Sequence, residues 1–152
     1  MPVEGLTGVK RLVLGDNNVI VLKEDGTVWG WGSNHGGELS DGTTEKRYRP
    51  VQAKDIANAV DIAMGDEAVI VLADGTMWMC GNSTEASMAD APSGAHAMPF
   101  KIAGITTAVA AQTAGTTMVR LKDDTVMRWG YYTRGSVEWA LKPVAWYKTP
   151  LP

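Results

Sequence analysis

The chain has 152 residues, enough for one compact domain with its own core. Apolar residues make up 45% and charged residues 20%, which excludes a disordered polyelectrolyte. A formal charge of −3 and a single cysteine exclude a surface built wholly to neutralise phosphates, an internal disulfide and a multi-cysteine metal site.

The first segment, MPVEGLTGVKRL, lacks a charged-then-apolar leader, so a cytoplasmic location is expected. No membrane span is expected either, because no apolar run nears the length of about 18 residues that one needs. Residues 19–32, VIVLKEDGTVWGWG, read as a β-branched strand, an Asp25-Gly26 hairpin turn and a second, alternating strand. A variable loop, 33–49, follows and ends in the basic run Glu45-Lys46-Arg47-Tyr48-Arg49. That run reads as a solvated loop, so nucleic acid is not an expected partner. Pro50-Val51 then opens a second unit, in which residues 69–81 read VIVLADGTMWMCG around Asp74-Gly75. The loop 82–98 is rich in small residues, and Pro99-Phe100 opens a third unit. Residues 118–130 there read MVRLKDDTVMRWG, with Asp123-Asp124 at the turn. The third loop, 131–142, carries large side chains, and Pro143-Val144 starts a last strand.

These segments are copies of one module. Gly32, Gly81 and Gly130 recur at a spacing of 49 residues, as do Trp29, Trp78 and Met127, and Trp31, Cys80 and Trp129. Gly15, Gly65 and Gly115 recur at a spacing of 50. Strand–turn–strand units of this length are the size of four-stranded propeller blades. The expected architecture is all-β: a partial β-propeller of three four-stranded blades, with units at about 2–49, 50–98 and 99–142. The strand 143–152 is expected to complete a blade of another chain, so that a homodimer closes a six-bladed ring. Trp29, Trp31, Trp78, Cys80 and Trp129 share repeat positions and are expected to form the structural core of the blades.

The pattern DGTVWGWGSN, then GGELSDG, then Pro-Val resembles the regulator of chromosome condensation repeat. The first copy carries the resemblance at Leu22, Asp25, Gly26, Val28, Trp31, Gly32, Asn34, Gly37, Leu39 and Pro50. The second keeps Leu72, Asp74, Gly75, Gly81 and Pro99, with Cys80 in place of tryptophan. The third keeps Leu121, Trp129, Gly130, Gly135 and Pro143. The resemblance implies propeller blades, which in that family usually number seven in one chain. It also implies interaction functions, among them nucleotide exchange on a small GTPase.

No motif for catalysis, phosphate binding or metal binding is present, so neither an enzyme nor a cofactor is expected. His35 and His96 lie in loops without metal-ligand spacing. The copies differ most between the Trp-Gly strand and the next proline, and variable loops on a constant scaffold usually carry recognition. Candidate partner-binding residues there are Asn34, His35 and Glu38 in the first loop, and Tyr131, Tyr132, Arg134 and Trp139 in the third. The expected function is a non-enzymatic binding module that presents loops to a protein partner. The alternatives are a carbohydrate-binding lectin or adhesin and a small-GTPase nucleotide-exchange factor.

Overall fold

A computed structural model describes residues 3–83, 93–130 and 140–147, with Trp129 and residues 140–147 described by their backbone. Among the described residues, twelve strands form three antiparallel sheets. The first blade holds β1 (Val9–Leu14), β2 (Asn18–Lys23), β3 (Val28–Gly32) and β4 (Arg47–Gln52). The second holds β5 (Ala59–Met64), β6 (Glu67–Leu72), β7 (Met77–Ser83) and β8 (Gly94–Lys101). The third holds β9 (Ala108–Thr113), β10 (Thr116–Leu121), β11 (Val126–Gly130) and β12 (Ala140–Tyr147). Each sheet is a meander in chain order, so every connection within a blade joins neighbouring strands. Among the described residues no helix is long and apolar enough to cross a membrane.

The expected blades are present, but their phase differs. Pro50, Pro99 and Pro143 do not open units; they sit in β4, β8 and β12, the last strand of each blade. A proline has no N–H to donate, and an outermost strand is where a sheet tolerates that loss. The C-terminal strand is corrected in the same way. β12 pairs with β11 of its own chain, Arg128 opposite Val144 and Met127 opposite Ala145, so it completes the third blade rather than a blade of another copy.

Between blades the chain crosses through AKDIAN (53–58) and IAGITT (102–107). Ile56 and Ile105 are buried plugs in these crossings. Asp55 and Gly104, at equivalent places, take positive φ of 56° and 77°.

Two hydrophobic clusters hold the blades together. The first joins Ile20, Leu22 and Val28 of the first blade to Ile62, Met64, Ala68, Ile70 and Cys80 of the second. The second joins Val69, Val71, Met77 and Met79 to Ala111 and Val119 of the third. Alternate residues along a strand point to opposite faces, so one face of the middle sheet packs on the blade before it and the other on the blade after. Each fully buried side chain of this size contributes about 1.5–3 kcal/mol by leaving water. A polar thread runs beside the apolar one. Arg11 in β1 donates to Oδ1 of Asp61 in β5, and the backbone N–H of Ala111 in β9 donates to Oδ2 at 3.0 Å. One buried carboxylate thereby ties all three blades.

Candidate functional site

The threonine after each Asp-Gly turn, a residue that composition alone does not single out, anchors the repeat tryptophans. Asp25 Oδ1 accepts from the amide and hydroxyl of Thr27 at 3.0 and 2.6 Å, and Trp29 Nε1 donates to Thr27 Oγ1 at 3.0 Å. The second blade repeats this with Asp74, Thr76 and Trp78, at 2.9, 2.7 and 3.1 Å. The Thr27 hydroxyl, then its amide, hold the Asp25 carboxyl down at about 2. Trp29, Trp31 and Trp78 are half-buried rather than central to the core, whereas Cys80 is fully buried. Burial pushes the Cys80 thiol up to about 12, so it does not ionise near neutrality. Its sulfur lies against the Ser40 hydroxyl of the loop after β3.

The loop after β3 is built around Asn34, which is fully buried. Its Oδ1 accepts from the Leu39 amide at 2.9 Å, and its Nδ2 faces Thr43 O, Glu45 O and Asp41 Oδ1 at 2.9, 3.2 and 3.3 Å. Asn34 therefore shapes the loop and is not available to a partner. Replacing it by alanine should leave the buried Leu39 amide without an acceptor and cost about 2 kcal/mol, read by urea denaturation. Leu39 at the loop centre enters the core between the first two blades, and the Gly42 amide bonds Ala97 O of β8 at 3.0 Å. The loop is thus a clasp from the first blade onto the second.

Asp41 closes the clasp by accepting from the Thr43 hydroxyl at 2.7 Å and from Arg47 Nε at 2.5 Å. Burial alone would raise its pKa, but the bonds from Thr43 and Arg47 outweigh burial and hold it below the ordinary 3.8. A depressed native pKa contributes stability that is complete above 3.8 and is lost as pH falls through the native value. The melting temperature of Asp41→Asn should therefore lie below wild type by a constant amount near neutrality. That gap should narrow in acid, as followed by circular dichroism across a pH series.

A cleft lies at the end of the blades where the first two strands of each unit turn. It encloses about 510 Å³. The first blade supplies Asp16, Asn18 and Glu38; the second supplies Asp66 and Glu67; Gly115 of the third borders it. Among the described residues its lining includes four carboxylates and no lysine, arginine or histidine, which gives that wall a negative potential. Glu38 is steadied by the Gly36 amide, which donates to both carboxylate oxygens at 3.1 and 3.2 Å. Among the described residues no group of three or more acidic, histidine or cysteine side chains is placed to hold a metal ion.

Of the residues singled out from sequence that are described, Glu38 lines this cleft. His35 is exposed outside it, and Asn34 lies beneath the loop. Tyr131, Tyr132, Arg134 and Trp139 lie outside the described residues. The turn carboxylates Asp16 and Asp66 were legible as a signal: each follows one of the glycines that recur every 50 residues.

Family models for the regulator of chromosome condensation (RCC1) repeat match residues 25–72 and 9–38. No curated protein matches the chain. Among solved structures, human WBSCR16 superposes with a TM-score of 0.83 and 23% identity, covering 93% of this chain and 39% of that one. Prp20p from Saccharomyces cerevisiae, described with its binding to Gsp1p and histones, gives a TM-score of 0.77 at 17% identity, covering 95% and 40%. The yeast RCC1 (Prp20) structure with Kap60 gives 0.70 at 20% identity, covering 84% and 33%. The chain spans about two fifths of the length of the first two of these structures. Over residues 9–72 the chain resembles the regulator of chromosome condensation repeat, and over more than nine-tenths of its length it shares the fold of human WBSCR16 and Prp20p.

Proposed function

We propose that the chain is a non-enzymatic protein-interaction module that receives a basic protein partner on its acidic turn face. The observation that carries this reading is the cleft lined by Asp16, Glu38, Asp66 and Glu67, with no basic residue in its wall among the described residues. Such a surface steers a positively charged partner and selects against acidic ones. The fold supports an interaction role, since Prp20p is described with binding to Gsp1p and histones. Of those two, histones have the charge that suits an acidic cleft. The buried, unionised thiol of Cys80 fits a module without nucleophilic chemistry. Self-association belongs to the same reading, supported by the exposed side chains of Leu12 and Leu14 in the first blade.

The test is direct binding of purified histones and of a small GTPase to the immobilised chain, at low and high salt. Histone binding that weakens with salt, and at least about tenfold on Asp16→Lys with Asp66→Lys, supports the proposal. Accelerated nucleotide release from the GTPase, without histone binding, would favour exchange activity instead. Binding on a glycan array with neither protein bound would favour the lectin alternative.

A further inference from the structure

One position of the repeat supplies two polar side chains to the acidic cleft. Asn18 opens β2 and Glu67 opens β6, and each lies opposite a repeat glycine of the following strand, Gly32 or Gly81. Both line the cleft, yet they are only 9% and 3% exposed, whereas Asp16 and Asp66 stand exposed at its mouth. Asn18 Nδ2 donates to the Ser33 carbonyl at 3.1 Å, which fixes the way its amide points. Its Oδ1 is buried and accepts no hydrogen bond from the described residues. That oxygen lies against Gly15, where a Cβ would stand 2.2 Å from it. Gly15 lines a second hollow of about 360 Å³, which shares Asp16, Gly65, Asp66 and Gly115 with the cleft. The oxygen thus sits on the boundary of the two.

A buried acceptor without a donor is costly, and folded proteins keep few of them. The four carboxylates of the same wall favour a donor that is also a cation. Among the described residues no acidic cluster is placed to hold a metal ion, which leaves cations that carry N–H groups. Ammonium and guanidinium groups bring the charge and the N–H together.

We infer that Asn18 marks a subsite for the tip of a single basic side chain, lysine or arginine, whose N–H donates to Asn18 Oδ1 while Asp16, Asp66 and Glu67 balance its charge. The inference rests on the acidic-face reading and deepens it. The charge of the wall draws a basic partner in, and one hydrogen bond at Asn18 selects the group that enters. A wall that works by charge alone treats all cations alike, whereas an acceptor that lacks a donor discriminates between a cation with N–H groups and one without.

Trimethyllysine provides the test, because it keeps the positive charge of lysine and has no N–H. Acetylated, amidated Gly-Gly-X-Gly-Gly peptides, with X lysine, arginine, trimethyllysine or norleucine, are titrated into the isotope-labelled chain and followed by nuclear magnetic resonance. The lysine and arginine peptides should bind and shift the Asn18 side-chain amide signals. Trimethyllysine should bind at least about fivefold more weakly than lysine, and norleucine more weakly still. Binding confined to lysine or to arginine supports the subsite and assigns it to that side chain. Asn18→Leu, which keeps the size and removes the acceptor, should level lysine with trimethyllysine; should that variant fail to fold, the wild-type series decides alone. Equal affinity for lysine and trimethyllysine, Asn18 amide signals that stay still, or no binding of either basic peptide overturns the inference. Salt-sensitive histone binding retained beside such a result leaves the acidic face standing, and its loss as well sinks both.

Discussion

Replacing Gly75 by valine should destabilise the protein by at least about 4 kcal/mol, whereas Asp124→Gly at the equivalent turn should change stability by no more than about 0.5 kcal/mol. Gly75 has φ +84°, a region closed in practice to β-branched residues. Its environment is as restrictive as its dihedral. A Cβ there would stand 2.3 Å from the Thr106 carbonyl oxygen and 2.9 Å from Thr107 Cα, both backbone atoms of the crossing that leads into the third blade. Gly26 meets the next crossing likewise, with Asn58 Cα at 2.9 Å. Asp124 takes φ 63° with an ordinary side chain, and no sheet of the described residues stands against its turn. Urea denaturation of the two variants beside wild type would show the contrast. Equal losses at both turns would mean that backbone conformation alone, and not the neighbouring blade, demands the glycine.

Asp61→Ala should cost about 3 kcal/mol, a fall in melting temperature of roughly 8 °C for a chain of this size. The side chain is buried, and its two oxygens serve different blades. Removing it strands the Ala111 amide and takes the carboxylate partner from the Arg11 guanidinium. Arg11→Ala alone should cost about 1 kcal/mol, because that side chain is partly solvated and its loss leaves the carboxylate bonded to Ala111. The double variant should cost less than the sum, since the two side chains share one interaction. A loss below about 1 kcal/mol for Asp61→Ala would show that apolar packing alone joins the blades. Asp61→Asn, which keeps one acceptor oxygen, should fall between wild type and alanine.

Both predictions concern contacts between units, and that is where reading the chain by eye reaches its limit. The hairpins were legible because Asp-Gly flanked by β-branched runs is a local signal. The phase of the units was not. Pro50, Pro99 and Pro143 read equally well as the start of one module or the end of the one before, and only the pairing of β4, β8 and β12 decides between them. The tryptophans looked like core because they recur. Recurrence marks a position in the blade, and whether that position is buried depends on which neighbour covers it. Trp78 has the first blade beside it, and Trp29 has none among the described residues.

The acidic cleft teaches the same lesson from the other direction. Asp16 and Asp66 lie 50 residues apart and seemed unrelated to Glu38 until the turns of adjacent blades came together. Asn34 has the polarity of a recognition residue, yet it is the buried hub of its loop. From the residues alone came the strand–turn–strand module, its three copies and the propeller architecture, because turn propensity and strand alternation act within a few residues. Which faces meet and which carboxylates converge were left to the tertiary structure, because these depend on packing between units some fifty residues apart, and no short-range preference along the chain encodes it.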